Sequence, residues 1–348
     1  VLARRCGIVF RRYKNNGKGR SVPVASIYPQ GEHPVRNSQI DKDALWAIRK
    51  IQQAGGEAYI VGGAIRDIIL GRAPKDFDIA TSLSPRQVQR LFWNARIIGR
   101  RFRIVHLFFG QKIIEVTTFR SDEENFEDGR NNVFGTIEQD AKRRDFSINS
   151  LYYNPSNGQL LDFNDAMPDF RRHVIRSLIP LSYSFSEDPV RMIRALKYQA
   201  TTGFRLKSDV RRAIKKNAAN IQQCSTSRLT EEVSKILSSG SALPILSNLE
   251  KYGLVEYILP QISVYLGYES VRKSIAELDR VVSEGKANGT PVQKEEIIYH
   301  FLRPMIVFPD ASSMTADELF KEGFRQAKIL LSPMTPPNYE LERAVEMI

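Results

Sequence analysis

The segment IVGGAIRDIILGRAPKDFDIAT, residues 60–81, constrains the fold more than any other part of the chain. With the residues just before it, it reads as a short strand EAYIV, a tight turn at Gly62-Gly63, a helix closed by Gly71, and a second strand DFDIAT. Asp76 and Asp78 lie two apart in that second strand, so both carboxylates leave one face while Phe77 and Ile79 turn to the core. Two acids on one face suit two hard divalent cations, Mg2+ or Mn2+, bridging a triphosphate. Upstream, Gly62 and Gly63 let backbone N–H groups approach phosphates, the following helix N-terminus favours anions, and Arg66 in its first turn can pair with a phosphate. Alone, a D-x-D pair is more often a solvated strand face, and a lone Gly-Gly is more often a plain turn. The two together, with R-D between them, are much rarer by chance; Asp67 and Lys75 read as structural partners.

Around this unit the chain falls into parts of different character. Residues 1–38 are basic, polar and dotted with Gly and Pro, and read as a flexible N-terminal extension. Residues 39–165 read as the head. ALWAIRKIQQAG is an amphipathic helix, and SPRQVQRLFW is a helix with Ser84 as cap and Pro85 at its first position. RFRIVHLFF and KIIEVTTF are two strands joined at Gly110-Gln111. Helical patterns then dominate, over a neck at 166–260 and a C-terminal body at 261–348. The sequence stops at Glu346-Met347-Ile348 inside an apparent helix, so the natural C-terminus can lie further on. The expected fold class is α+β: a small mixed-sheet head followed by an all-helical body.

Further candidate residues lie outside the first unit. Glu115, in IIEVTTF, sits on a strand that should neighbour the D-x-D strand, and Asp145 lies in AKRRDFSINSLYYN. Either can supply a third acid to a two-metal site, or pair with a neighbouring arginine instead. In SEDPVRMIR, residues 186–194, Asp188 stands at a helix start, with Arg191 and Arg194 three apart on one face. Read in isolation, that segment is a cap with surface arginines.

Taken together, the GG-x-x-R-D, D-x-D, R-R-D-F and E-D-x-x-R segments resemble the class II nucleotidyltransferase superfamily, which contains bacterial poly(A) polymerases and CCA-adding enzymes. The resemblance runs through residues 60–81, 98–165 and 187–260, about two-thirds of the chain. It implies a nucleotidyltransferase head and transfer of a nucleotide to an RNA 3′ end. It also assigns Asp76, Asp78 and Asp145 as catalytic acids, with Glu115 remaining open as a metal ligand beside Asp76 and Asp78. Gly62, Gly63, Arg66, Arg143, Arg144 and Asn149 are the implied nucleotide contacts. Asp188 and Arg191, with Arg194 nearby, are the implied readers of the base. The chemistry is coherent: a carboxylate accepts from an exocyclic amine while a guanidinium donates to the ring nitrogen beside it. That edge is common to adenine and cytosine, so the pair selects A or C over U or G without deciding between them.

Ile98 to Leu107, IGRRFRIVHL, resembles the G-[RK]-[RK]-F-x-x-x-H segment of the poly(A) polymerase branch, which implies ATP as substrate. The alternative is CCA addition to tRNA, and a remoter one is an inactive RNA-binding homologue. The four histidines include no His-Asp pair, so no HD phosphohydrolase domain is expected.

Charge bears on the partner. The 348 residues carry a net +12 with a pI near 9.6, an excess that favours a polyanion. Arg100 and Arg101, and the run Lys207, Arg211, Arg212, Lys215 and Lys216, are the candidate RNA contacts. The basic arm that includes Arg11, Arg12 and Lys14 reads as a further one or as a solvated tail. Cys6 and Cys224 form no CxxC pair, and no apolar run approaches the ~18 residues of a membrane span, so a cytoplasmic protein with no membrane partner is expected.

Overall fold

The computed structural model describes residues 9–15, 20–99, 103–121 and 134–348. Arg100, Arg101 and Cys6 lie outside the described residues. The chain divides into two compact units, residues 1–179 and 180–348.

The first unit is built on a nine-stranded sheet. Its strands are β1 (Phe10–Asn15), β2 (Ser21–Tyr28), β3 (Ala58–Val61), β4 (Asp78–Thr81), β5 (Ala95–Ile98), β6 (Ile104–Phe109), β7 (Lys112–Thr118), β8 (Leu151–Asn154) and β9 (Gln159–Asp162). They lie in the order β1-β2-β9-β8-β3-β4-β7-β6-β5. Neighbours are antiparallel except β4 and β7, which run parallel.

Helices α1 (Lys42–Gln53), α2 (Gly63–Ile69) and α3 (Pro85–Leu91) belong to this unit, with α4 (Ile137–Lys142) and α5 (Ala166–Arg172). Local chemistry explains their ends. Asp41 accepts from the N–H groups of Asp43 and Ala44 to start α1, and Ser84 and Gln87 form a capping box before Pro85 in α3. Gly110, at φ 60°, turns β6 into β7.

One face of the sheet presents Tyr59, Val61, Ala80, Tyr152 and Leu161, and these close a core with Ile137 and Ala141 of α4 and with Phe119 and Phe163. Residues that large, fully removed from water, contribute roughly 1.5–3 kcal/mol each.

The described residues of the N-terminal extension, 9–15 and 20–38, include two strands of this sheet. β1 and β2 form a hairpin, and β2 pairs with β9 at Ser26–Asp162, Ile27–Leu161 and Tyr28–Leu160. Its order comes from ladder hydrogen bonds to residues more than 130 positions away in sequence, which composition and local periodicity do not register.

The head also extends past residue 165. Ser147 N–H donates to the Arg176 carbonyl at 2.9 Å and Leu178 N–H to the Asp145 carbonyl at 3.1 Å, so residues 174–178 strap the R-R-D-F segment. Asp162 is buried and accepts from the N–H groups of Asn164, Ala166 and Met167, fixing the entry to α5.

The second unit is helical, with only the two-residue strand Arg205–Leu206. It contains α6 (Ser184–Glu187), α7 (Val190–Thr202), α8 (Ser208–Asn217) and α9 (Thr226–Leu237), with further helices over Ala242–Lys251, Glu269–Ala287, Lys294–Leu302, Ala316–Leu331 and Asn338–Glu346. No helix among the described residues is long and apolar enough to cross a membrane.

Candidate active site and base-recognition cluster

The sheet register places the acids. One transverse row of paired residues crosses the sheet through Leu161, Tyr152, Val61, Asp78, Glu115, His106 and Arg96. The row is apolar on one side and charged from Asp78 onward. Asp78 and Glu115 are directly opposite on the parallel strands β4 and β7, so their side chains share a face about one strand spacing, ~4.8 Å, apart. Asp76 lies two residues before β4 begins and is exposed, so only the second aspartate sits within the ladder.

The Asp78 carboxyl is pushed up to about 6, first by burial and then by the negative charges of Glu115 and Asp76, with Arg144 opposing. His106 Nε2 lies 3.6 Å from Glu115 Oε1. Sequence reasoning did not single out this histidine, although it closes the G-R-R-F-x-x-x-H spacing.

Beside the acids, Gly62 adopts φ 72° between β3 and α2. A Cβ there would stand 3.3 Å from Asp78 Oδ2 and 3.7 Å from Arg144 Nη1, so this glycine keeps room between a carboxylate and a guanidinium. Gly63 opens α2, and a Cβ on it would meet the Arg66 guanidinium at 3.4 Å.

Arg66 donates from Nε to Asp67 at 2.9 Å and from Nη1 to Asn149 Oδ1 at 3.0 Å. Asn149 in turn donates to Asp145 Oδ1 at 3.4 Å. Arg66, Asn149 and Asp145 therefore form one connected chain, with Asp67 as its outer anchor.

Arg144 is held by residues the motif alone does not reveal. Its Nε donates to the Tyr152 hydroxyl at 3.0 Å and its Nη2 to Asp140 at 3.1 Å, while the Tyr152 hydroxyl donates to the same Asp140 oxygen at 2.5 Å. Its guanidinium also lies 5.1 Å from the centre of the Tyr152 ring. Burial works against the Arg144 charge, but Tyr152 and Asp140 outweigh it and hold the pKa above its ordinary value. The i,i+4 spacing of Asp140 and Arg144 was the available sequence signal. Arg143 ends α4.

The acids do not close into a ready-made metal cage. No group of three or more His, Cys, Asp or Glu residues among the described residues is arranged to hold a metal ion. Asp145 turns its carboxylate to the Phe146 N–H at 2.8 Å and to Asn149, within its own segment. Like-charged carboxylates this close repel, and that repulsion from Glu115 and Asp76 adds to burial, the larger cause, in raising Asp78. That repulsion, relieved only by a proton or a cation, is the observation by which Asp78, Glu115 and Asp76 fit Mg2+ or Mn2+.

In the second unit, Asp188 ends α6 and Pro189 caps α7, so the aspartate stands at the start of α7, as its place before Pro189 suggests. Arg191 Nη1 donates to the Ser184 carbonyl at 3.0 Å and to Glu187 at 2.5 Å, and its Nε lies 4.0 Å from Asp188. Asp188 takes its closer partner from α9, where Arg228 Nη2 stands 3.0 Å away. Arg194 donates to the Tyr198 hydroxyl at 3.3 Å. Arg228 comes from 40 residues downstream, with no local signal to announce it.

On α8, Val210 and Ile214 are buried, whereas Arg211, Arg212, Lys215, Lys216 and the preceding Lys207 are exposed. Lys207 pairs with Asp209 at 3.0 Å.

Comparison with known proteins places these features. Residues 58–176 match the family described as Poly A polymerase head domain, and residues 203–266 match the "Probable RNA and SrmB- binding site of polymerase A". The chain is 36% identical over 287 residues to Poly(A) polymerase I of Salmonella typhi, covering 76% of this chain and 62% of that protein. It is 36% identical over 224 residues to the CCA-adding enzyme of Geobacillus kaustophilus, covering 62% of this chain and 54% of that one. The solved Bacillus stearothermophilus CCA-adding enzyme in complex with CTP matches with a TM-score of 0.57 at 27% identity, over 88% of this chain and 81% of that chain. With its D-x-D strand, R-R-D-F segment and helical second unit, the chain belongs to the nucleotidyltransferase superfamily. Within it, the chain falls on the poly(A) polymerase branch. It spans 62% of the length of the Salmonella relative.

Proposed function

We propose that this chain is a template-independent polynucleotide adenylyltransferase, adding AMP from ATP to RNA 3′ ends. The observation that carries the reading is the in-register pair Asp78–Glu115, with the Asp78 carboxyl raised to about 6 by burial, Glu115 and Asp76. Asp76 and Asp78, with Glu115 or Asp145 as the third acid, would hold Mg2+ or Mn2+, which supplies polarisation of the attacking hydroxyl and neutralisation of the leaving pyrophosphate.

The chain's own residues do the positioning. Gly62 leaves a gap between Asp78 and Arg144 that admits a phosphate oxygen. Arg144, already anchored by Asp140 and Tyr152, meets phosphate charge with little further ordering of its own. Arg66 and Asn149 orient the sugar and triphosphate. Asp188 and Arg191 read the amine-and-acceptor edge of adenine, which requires Arg191 to exchange Glu187, and Asp188 to exchange Arg228, for the base. The exposed cations of α8, with Arg100 and Arg101, bind RNA phosphates, giving sequence-independent, salt-sensitive affinity. A cytoplasmic setting suits this substrate.

CCA addition to tRNA is the second reading, favoured by the likeness to a CCA-adding enzyme structure. Primer extension with Mg2+ separates the two, giving ATP or CTP singly to an unstructured RNA and to a tRNA lacking its CCA end. Long ladders with ATP alone on both RNAs are expected. Three-nucleotide addition dependent on CTP would overturn the poly(A) reading, and no extension with either nucleotide would overturn both.

A further inference from the structure

The edge strand β1 has a composition unlike the rest of the sheet. Its sequence is FRRYKN, and all six residues are exposed. Phe10 and Tyr13 are 53% and 55% exposed, large aromatic surface that an edge strand in water does not normally carry. Arg11 and Arg12 lie between them and Lys14 follows.

The register against β2 shifts between Arg12 and Tyr13, a bulge that lets adjacent residues depart from strict alternation. Phe10 pairs with Ile27, Arg12 with Ala25 and Tyr13 with Pro23. All three therefore turn to the face of the sheet that carries Asp78 farther across.

Under that strand lies a cleft of about 250 Å3, far more than the ~10–15 Å3 that one water needs. Arg12, Tyr13 and Lys14 form one wall, and Ile137, Glu138 and Phe163 the other. Tyr13 and Phe163 offer ring surface, and Arg12 and Lys14 offer positive charge. Lys14 lies 3.8 Å from Glu138, but that acid is also held by Lys142 at 2.6 Å, and Arg12 adds a further cation to the cleft lining.

Aromatic rings interleaved with guanidinium and ammonium groups, with charge left over, match a single-stranded nucleic acid: bases stack on the rings and phosphates meet the cations. A second protein strand could pair with the outer edge of β1, the last strand of the sheet among the described residues, but it would gain nothing from the cations. The charge therefore favours RNA.

We propose that β1 and the cleft beneath it form an RNA-binding platform on the head, engaging the upstream part of the strand whose 3′ end is extended. The proposal rests on the adenylyltransferase reading above. β1 and β4 are separated by five strand spacings, about 24 Å at ~4.8 Å each. A stacked strand rising ~3.4 Å per nucleotide crosses that in roughly seven nucleotides. Short primers end before reaching the platform; longer ones occupy it.

The test uses the full chain and a 5′-labelled 15-nucleotide RNA of mixed A and U, with affinity read by fluorescence anisotropy across a salt series. Two variants are compared with wild type, Arg12→Ala with Lys14→Ala, and Tyr13→Ala; all these positions are exposed, and circular dichroism melting checks the fold. The double variant is expected to weaken binding and to flatten the log K against log salt slope by about 0.7 for each phosphate that is no longer neutralised. Tyr13→Ala is expected to weaken binding roughly tenfold with the slope unchanged. Extension of a four-nucleotide primer should match wild type, while extension of the 15-nucleotide primer should fall. Unaltered affinity and slope in both variants would overturn the platform while leaving the adenylyltransferase reading intact. Concentration-dependent self-association that the variants abolish, with RNA affinity unchanged, would overturn it in favour of strand pairing. Absence of both RNA binding and AMP transfer in the wild type would instead overturn the functional reading on which it rests.

Discussion

Replacing Asp78 with asparagine should make the head more stable while removing its chemistry. The Asp78 carboxyl, ordinarily at 3.8, stands at about 6 in the folded chain. A carboxyl raised by folding binds its proton more tightly in the folded state, so folding is favoured at low pH. That advantage is lost as pH rises from about 4 through about 6. A rise of about two pH units corresponds to roughly 3 kcal/mol. Screening by solvent at this half-buried side chain reduces that to about 1–2 kcal/mol. A neutral amide at this position carries no such cost. Thermal unfolding in chelator should therefore show Asp78→Asn and wild type nearly equal at pH 4.5. At pH 7.5 the variant should melt higher by roughly 3–6 °C for a unit of this size. Millimolar Mg2+ should then raise the wild type at pH 7.5 and leave the variant unmoved, because the cation relieves a repulsion that the amide does not experience. AMP transfer should be abolished with RNA affinity nearly intact. A melting difference that stays flat between pH 4.5 and 7.5, or a variant less stable at pH 7.5, would refute the account of Asp78 as a repelled carboxylate waiting for a cation.

Three further outcomes rest on particular side chains. Arg191→Ala should let UTP and GTP compete with ATP in single-nucleotide incorporation while leaving RNA affinity close to wild type; continued exclusion of both would remove Arg191 from base reading. Lys215→Ala with Lys216→Ala should weaken RNA binding alike for all sequences and lower the salt slope by about 1.4, with the ATP KM unchanged in initial-rate assays. Asp162→Ala strips three N–H groups, two of them buried, of their acceptor and should cost about 2 kcal/mol in urea unfolding, with no change in nucleotide preference.

Legibility in the sequence followed the range of the interactions. Helix α1, helix α3 and the β6–β7 hairpin were readable because Asp41, Ser84-Pro85 and Gly110 act within a few residues of themselves. That Glu115 lies on a strand beside the D-x-D strand was also readable. Strands β1, β2, β8 and β9 were not, since their order depends on pairing partners far along the chain and their local patterns are short. The same limit governs the candidate site. Gly62 and Arg66 announce themselves through the strand-turn-helix spacing, and Arg144 and Asn149 through the resemblance of their segment to the family's. The groups that hold them do not: Tyr152 anchors Arg144 from a strand whose pattern reads only as apolar, and Arg228 reaches Asp188 from another helix. His106 was visible in its motif but acquired a partner only when the register set it opposite Glu115.

The strap formed by residues 174–178 has a consequence for how small a working head can be. A fragment ended at 165, where the sequence changes character, leaves the Ser147 N–H and the Asp145 carbonyl without the Arg176 and Leu178 main-chain groups that satisfy them. The acid-bearing segment would then have to find water in their place. A fragment ended at 179 keeps both bonds, together with the Arg176–Asp169 ion pair at 2.8 Å. Limited proteolysis that cuts between 165 and 174 is thus expected to loosen the R-R-D-F segment from a distance. A nick just after 179 should leave the nine-stranded sheet intact, with its carboxylates still in register.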